Sequence, residues 1–388
     1  MSRSSFDEMA DIPVIDLDIP DDDDSSPALL VPPEVKCKKH IDMKEYSVTV
    51  RKMRSFFVNK GWYEVHTQSR LSILAACEDP NTISTYNYAG EVWPLPQTGQ
   101  MWLEHELLSN PDVPGVFCLS TSYRNEPNPV EGRHDKIFPM FEFEMRGTIK
   151  DLVILEAELL EYLGFGEQES FVHKDYRELA QEYEVEELEH EHEDRMCNEN
   201  GPVVFLENFP NHTSPFWNMK QSLENDNAHK VDVILHGIET IGSAERSTNK
   251  DEMREQFYKI SGGNYANILF SNFTKNRVVK ELEQFLKYNM IERCGGGIGV
   301  TRMIRAMKMS NILYKENKPV EEVIEEQEEQ EEQEEVVLER LTRKRTKSRC
   351  WGLPIAAKDK GGAVASLLVG AASSGGGKAF EMALDGLL

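Results

Sequence analysis

Positions 123–144 read Tyr-Arg-Asn-Glu-Pro-Asn-Pro-Val-Glu-Gly-Arg-His-Asp-Lys-Ile-Phe-Pro-Met-Phe-Glu-Phe-Glu, and no other stretch narrows the fold as far. The first half is a Pro/Gly/Asn-rich loop carrying Arg124, Arg133 and His134, cations that suit phosphate oxygens. The second half alternates aromatic and acid, as a strand does when successive side chains point to opposite faces. Phe141 and Phe143 then share one face, Glu142 and Glu144 the other. Neighbouring carboxylates in a core strand call for a cation or polar ligand opposite, because a bare buried charge is costly.

A chain of 388 residues has room for one large domain or two ordinary ones. Its formal charge of −25 argues against coating nucleic acid by overall charge. The acidity is concentrated towards the ends: nine acids fall in residues 1–24 and ten glutamates in 321–335. The organisation this implies is a disordered acidic leader over 1–45, a folded domain over 46–313 and a low-complexity tail over 314–388. That tail runs from the Glu/Gln repeats through a basic cluster (Arg340, Arg343, Lys344, Arg345, Lys347, Arg349) to a Gly/Ala-rich end. Six cysteines without a close CxxC pair fit reduced thiols. The apolar run at 363–372 is too short to span a bilayer, and no secretory signal opens the chain. The expectation is a soluble, cytoplasmic protein.

Helical spacing starts near Tyr46, with Val50, Met53 and Phe57 along one stripe, then a turn at 59–61 and a strand over 62–67. Residues 151–163 predict an amphipathic helix stopped by Gly164. An acidic helix over 174–200, strands over 202–206 and 231–245, a helix over 277–287 and a glycine turn with helix over 294–309 complete the pattern. Without a regular βαβ alternation, an α+β domain on an antiparallel β-sheet flanked by helices, with disordered termini, is the expected fold class.

Two further segments carry chemistry. In 231–246, Val-Asp-Val-Ile-Leu-His-Gly-Ile-Glu-Thr-Ile-Gly-Ser-Ala-Glu-Arg, a chain reversal at Leu235 and His236 pairs Asp232 with Glu239. Facing carboxylates roughly 5 Å apart repel unless a divalent cation joins them; otherwise the segment is a surface hairpin with solvated charges. In 294–303, Cys-Gly-Gly-Gly-Ile-Gly-Val-Thr-Arg-Met, the glycines form either a bare turn or a backbone nest for phosphate at a helix N-terminus, with Arg302 as a fixed cation. His190, His192 and Cys197 stand in a Glu-His-Glu-His-Glu setting that reads as a solvated helix.

The spacing Arg-x-Glu, Arg-His-x-x-x-Phe, Glu-x-Glu in 124–144 resembles the second signature motif of class II aminoacyl-tRNA synthetases, most of all the branch handling aspartate, asparagine and lysine. Asp232, Glu239, Gly242, Ser243 and Arg246 resemble the metal-binding strand pair of the aspartyl and asparaginyl enzymes, and 294–303 resembles the third motif. The wording of that third segment is closer to ammonia-dependent asparagine synthetase. Residues 97–104, Gln-Thr-Gly-Gln-Met-Trp-Leu-Glu, are similar to a segment of asparaginyl enzymes; the aspartyl enzymes place a lysine where Leu103 stands. Residues 209–220 resemble another asparaginyl stretch. Cys77 and Glu78 match a loop whose glutamate binds the α-ammonium group, with Asp79 and Pro80 in place of its glycines.

This resemblance implies a class II catalytic core with ATP and Mg2+ as cofactors. It implies that Arg124 neutralises the α-phosphate, Glu126 receives the adenine amino group, and Phe138 stacks on the ring. Arg133, His134 and Arg302 hold the outer phosphates and Asp232 and Glu239 the magnesium. Glu78, Gln100 and Arg246 bind the substrate, aspartate or asparagine. A homodimer is also implied, although the first motif's proline is Gln68 here. The relatives that are tRNA ligases carry an N-terminal anticodon-reading barrel of roughly a hundred residues, more than the 45 preceding the first core helix here. The expected activity is therefore asparagine synthesis from aspartate and ammonia. The alternatives are a tRNA ligase for asparagine or aspartate, with the basic cluster 340–349 as tRNA contact, and a catalytically silent nucleotide-binding paralogue.

Overall fold

Asp42 opens the first helix, its carboxylate accepting from the amides of Lys44 and Glu45 at 2.9 and 3.0 Å. Helix α1 follows over Met43–Asn59, so ordered structure begins inside the span expected to be leader. The computed structural model describes residues 40–68, 70–73, 82–213, 216–222 and 225–315, all within one unit, Met1–Asn317. Glu78, most of the expected leader, the acidic run and the basic cluster lie outside the described residues.

The centre is an eight-stranded sheet in the order β1-β4-β5-β10-β9-β8-β7-β6. Its strands are β1 (Tyr63–Glu64), β4 (Gly115–Tyr123), β5 (Ile137–Arg146), β6 (Val172–Asp175), β7 (Val203–Glu207), β8 (Lys230–Leu235), β9 (Ile238–Arg246) and β10 (Arg293–Gly299). The five inner pairings are antiparallel and the two outermost, β1 with β4 and β6 with β7, are parallel. A separate hairpin pairs β2 (Thr85–Tyr88) with β3 (Glu91–Pro94). This is the expected α+β class.

Helices α1, α3 (Ile149–Leu163) and α9 (Val300–Met309) cover one face, burying Phe57, Phe117, Phe141, Phe143, Leu160 and Met303 in the main core. Phe57, Phe117 and Phe141 stack with centroids 5.3–5.5 Å apart. The opposite face carries α2 (Gln100–Ser109) against Val116 and Cys118. It also carries α4 (Tyr176–Glu182) and α5 (His190–Asn200) against Val204, Leu206 and Ile234. Helices α6 (Lys250–Lys259), α7 (Asn264–Phe273) and α8 (Lys275–Phe285) build a second apolar cluster around Trp217.

Several expectations are corrected. The span 174–200 is the end of β6 and two helices, not one helix. The strand expected over 62–67 is confined to Tyr63–Glu64. The 277–287 helix runs Lys275–Phe285, two residues earlier, and α6 and α7 carried no clear sequence signal. The glycines after Cys294 are neither turn nor nest: they lie in β10, between β5 and β9. Neighbouring backbones come so close that a Cβ at Gly295 would stand 2.2 Å from the Phe143 carbonyl oxygen, and one at Gly296 2.3 Å from Ser243 Cβ. Only glycine permits that approach.

Helix α3 holds a fully buried carboxyl, Glu156, with no hydrogen-bond partner on either oxygen. Burial pushes it up to about 8, with the nearby Ser243 hydroxyl pulling against the rise. The folded chain thus keeps a proton that the unfolded chain releases above the ordinary carboxylate range, so stability falls as pH rises from about 4.5 to about 8. Glu156→Leu is expected to stabilise the fold by about 2 kcal/mol at pH 8, and less at pH 5. Calorimetric melts at both pH values check this; a gain of equal size at both would refute it.

Candidate active site

One cleft of about 240 Å³ opens on the sheet face opposite the main core, and Gln100, Arg124, Glu126, Arg133, His134, Phe138, Glu239 and Arg302 all line it. They come from four separated parts of the chain: the start of α2, the β4–β5 loop with the head of β5, strand β9 and the first turn of α9. Gly242, Gly297 and Gly299 also line it, so part of its wall carries no side chains.

The β4–β5 loop supplies most of the polar wall. Arg124 is fixed through its amide to the Lys136 carbonyl at 2.7 Å, and its guanidinium stands 5.6 Å from the Phe138 ring centroid. Arg124 Nε is buried without a hydrogen-bond partner. His134 Nδ1 lies 2.9 Å from Glu126 Oε2. Arg133 donates to the Gly237 carbonyl at 3.0 Å and to Glu193 at 2.7 Å. Arg302 donates to the carbonyls of Glu239 at 2.6 Å and Arg133 at 3.2 Å, tying α9 to both walls.

The alternation read from 137–144 holds. Phe141 and Phe143 are in the main core, while Glu142 and Glu144 are buried on the cleft face and each meets the polar partners their burial requires. Glu142 accepts from the Gly99 amide at 2.8 Å and from the hydroxyls of Thr98 and Ser120. Burial pushes its carboxyl up, and those hydrogen bonds pull against the rise. Glu144 accepts from Arg246 Nη2 at 3.3 Å and from the Gln100 amide. Arg246 is thus buried behind the cleft and bonded to Glu144 and the Gly295 carbonyl. Beside it, Glu104 takes Arg293 at 2.8 Å and Asn218 at 2.8 Å. Leu103 is buried in the small apolar cluster under α2.

The Asp232–Glu239 pairing is corrected in register. The reversal falls on His236 and Gly237, whose φ values of 49 and 78° give a two-residue hairpin turn. Ile234 then faces Glu239, a bulge intervenes, and Asp232 faces Gly242. The carboxylates still converge. A Cβ on Gly242 would stand 2.8 Å from Glu239 Oε1 and 3.5 Å from Asp232 Oδ1. Asp232 Oδ2 is held by Lys230 at 2.7 Å, and Oδ1 is buried with no hydrogen-bond partner. Burial lifts Asp232 to about 7, against the pull of Lys230 and helped by Glu239. An orphaned buried carboxylate oxygen beside a second acid fits a hard divalent cation, which would shield phosphate charge when bound.

Sequence reasoning missed the Thr98–Gly99–Ser120 cradle, for which Glu142 on the polar face of a strand was the available signal. It also missed Glu193, hidden in an acidic run.

Residues 35–314 match the family model of tRNA synthetases class II (D, K and N), and the chain belongs to that family. It is 26% identical over 107 residues to the aspartate–tRNA(Asp) ligase of Pyrobaculum aerophilum, covering 28% of this chain and 22% of that ligase. In structure it is similar to the asparaginyl-tRNA synthetase from Pyrococcus horikoshii complexed with asparaginyl-adenylate: TM-score 0.57, 20% identity, 70% of this chain and 66% of the other. The Entamoeba histolytica asparaginyl-tRNA synthetase in complex with asparaginyl-adenylate gives TM-score 0.55 and 18% identity over 70% and 64%. The chain thus spans about two thirds of these two structures and a smaller part of the curated ligase. At this identity the likeness establishes the fold: a mostly antiparallel sheet flanked by helices, as in class II synthetases. Among the described residues no helix is long and apolar enough to cross a membrane.

Proposed function

We propose that this chain activates aspartate or asparagine with ATP. A substrate carboxylate oxygen attacks the α-phosphorus, the bond to the β-phosphate breaks, and pyrophosphate leaves an acyl-adenylate. The observation that carries this is the convergence of Arg124, Arg133, His134 and Arg302 on the cleft that also presents Phe138, Glu126 and Glu239. Arg124 meets the charge developing at the α-phosphate, where a preorganised cation contributes most. Arg133, His134 and Arg302 hold the outer phosphates, Phe138 takes the adenine ring and Glu126 its amino group. Asp232 and Glu239 hold magnesium. Gln100 and Arg246, on the inner side, orient the amino acid.

For the second half-reaction we favour ammonia. Its nitrogen attacks the side-chain acyl carbon of aspartyl-adenylate, AMP leaves and asparagine forms. The Gly-Gly-Gly-Ile-Gly-x-x-Arg wording of 295–302 supports this reading. Transfer to tRNA is the second reading, and the family match favours it. Incubation with ATP, magnesium and labelled aspartate is expected to give asparagine and AMP with ammonium, and no charged tRNA when tRNA replaces it. Aminoacyl-tRNA would promote the second reading. Absence of ATP–pyrophosphate exchange with both amino acids would overturn activation itself.

A further inference from the structure

Helix α5 presents Glu193, Met196 and Cys197 on one stripe, since residues three and four apart share a helix face. Met196 is fully buried against the sheet and Cys197 Sγ lies 3.8 Å from the Ile234 carbonyl, so this stripe faces inward. A carboxylate on it would be costly unless bonded. Glu193 Oε2 accepts from Arg133 Nη2 at 2.7 Å and from the backbone amide of Glu239 at 2.6 Å. One oxygen therefore joins a cationic side chain of the β4–β5 loop to the strand bearing Glu239. Arg133 Nη1 reaches the Gly237 carbonyl in the same turn at 3.0 Å, while its main-chain oxygen takes Arg302 at 3.2 Å. Arg302 closes the circuit on the Glu239 carbonyl at 2.6 Å.

We propose that Glu193, outside the motifs that mark the site, is a positioning residue for the nucleotide, acting through Arg133, whose guanidinium it fixes against the β8–β9 hairpin. An arginine on a long loop has many conformers, and a fixed carboxylate that engages one arm of its fork selects among them. The second bond, to the Glu239 amide, sets where that strand's acid stands relative to Arg133. Asp194, 3.9 Å from Arg133 and largely exposed, is too distant and too solvated to substitute.

This inference rests on the ATP-activation reading, and steady-state ATP–pyrophosphate exchange separates the two. Glu193→Ala is expected to raise the KM for ATP about tenfold while leaving the KM for the amino acid within about twofold. Glu193→Gln, which keeps an acceptor oxygen and the helix packing, should fall between wild type and Glu193→Ala. In an Arg133→Ala background, adding Glu193→Ala should change the KM for ATP little, because a residue acting through another is non-additive with it. A merely structural role would lower the melting temperature and the active fraction without this split. An unchanged KM for ATP in Glu193→Ala, or losses that multiply in the double variant, would overturn the proposal while leaving activation standing. A wild-type protein with no saturable response to ATP would overturn both.

Discussion

Arg302→Ala is expected to slow amino-acid-dependent ATP–pyrophosphate exchange by two to three orders of magnitude, about 3–4 kcal/mol of transition-state stabilisation. The side chain leaves the first turn of α9, crosses beside the glycines of β10 and ends in the cleft with both guanidinium arms bonded to main-chain oxygens. Those oxygens belong to the two walls, so the cation is held rigidly without having its charge neutralised by them. Among the described residues the carboxylate beside it is Glu239, with Oε2 3.7 Å away. A charge held in that way stabilises developing phosphate charge without reorganising. Loss of the side chain should cost the fold little, because it is partly exposed and not part of the apolar core. Thermal melts of the variant should therefore stay within a few degrees of wild type. Arg302→Lys restores a point charge but not the fork that grips both walls, so recovery should be partial. Exchange within tenfold of wild type in Arg302→Ala would remove Arg302 from the phosphate site.

What was legible in the sequence is what local geometry dictates. The alternation in 137–144 had to separate Phe141 and Phe143 from Glu142 and Glu144, and α3 had to stop at Gly164, whose φ of 96° is left-handed. The clustering of Arg124, Arg133, His134, Phe138, Glu239 and Arg302 was legible through the motif likeness, not through periodicity. Where the reading failed, tertiary contact decides. Nothing local marks 295–299 as a central strand, because glycine disfavours strands; the reason it sits there is the crowding by Phe143 and Ser243. The register of Asp232 turned on a bulge and a one-residue shift of the turn, neither visible in a run of alternating side chains. Glu193 was one acid among many in a helix read as solvated. Its partner, Arg133, is 60 positions away.

The carboxyl of Glu144, buried behind the cleft and bonded to Gln100 on its wall, is pH-sensitive, and the expected consequence is a divergence between the two candidate amino acids. Burial lifts Glu144 to about 7; Arg246 opposes the rise and Glu104 adds to it. Because the folded-state value is raised, the carboxyl carries a proton below about pH 7 and is ionised above it. In the protonated form Arg246 keeps Glu104, 3.8 Å away and shared with Arg293 at 2.8 Å, and a substrate carboxylate supplies the charge that Glu144 provides only when ionised. In the ionised form Arg246 is neutralised by Glu144, and an anionic side chain meets a carboxylate instead. Binding of aspartate is then linked to uptake of one proton, so its KM should rise about tenfold per pH unit above 7, about a hundredfold by pH 9. Asparagine, with a neutral amide, should show no such slope. Glu144→Gln removes the titrating group while keeping an acceptor for Arg246, and should give a low, flat KM for aspartate across pH 6–9. Exchange assays at saturating ATP measure all of these curves, with the asparagine curve as the internal control for general effects of pH. Parallel curves for the two amino acids, or a slope that survives Glu144→Gln, would place the discriminating charge outside the Glu144–Arg246 pair.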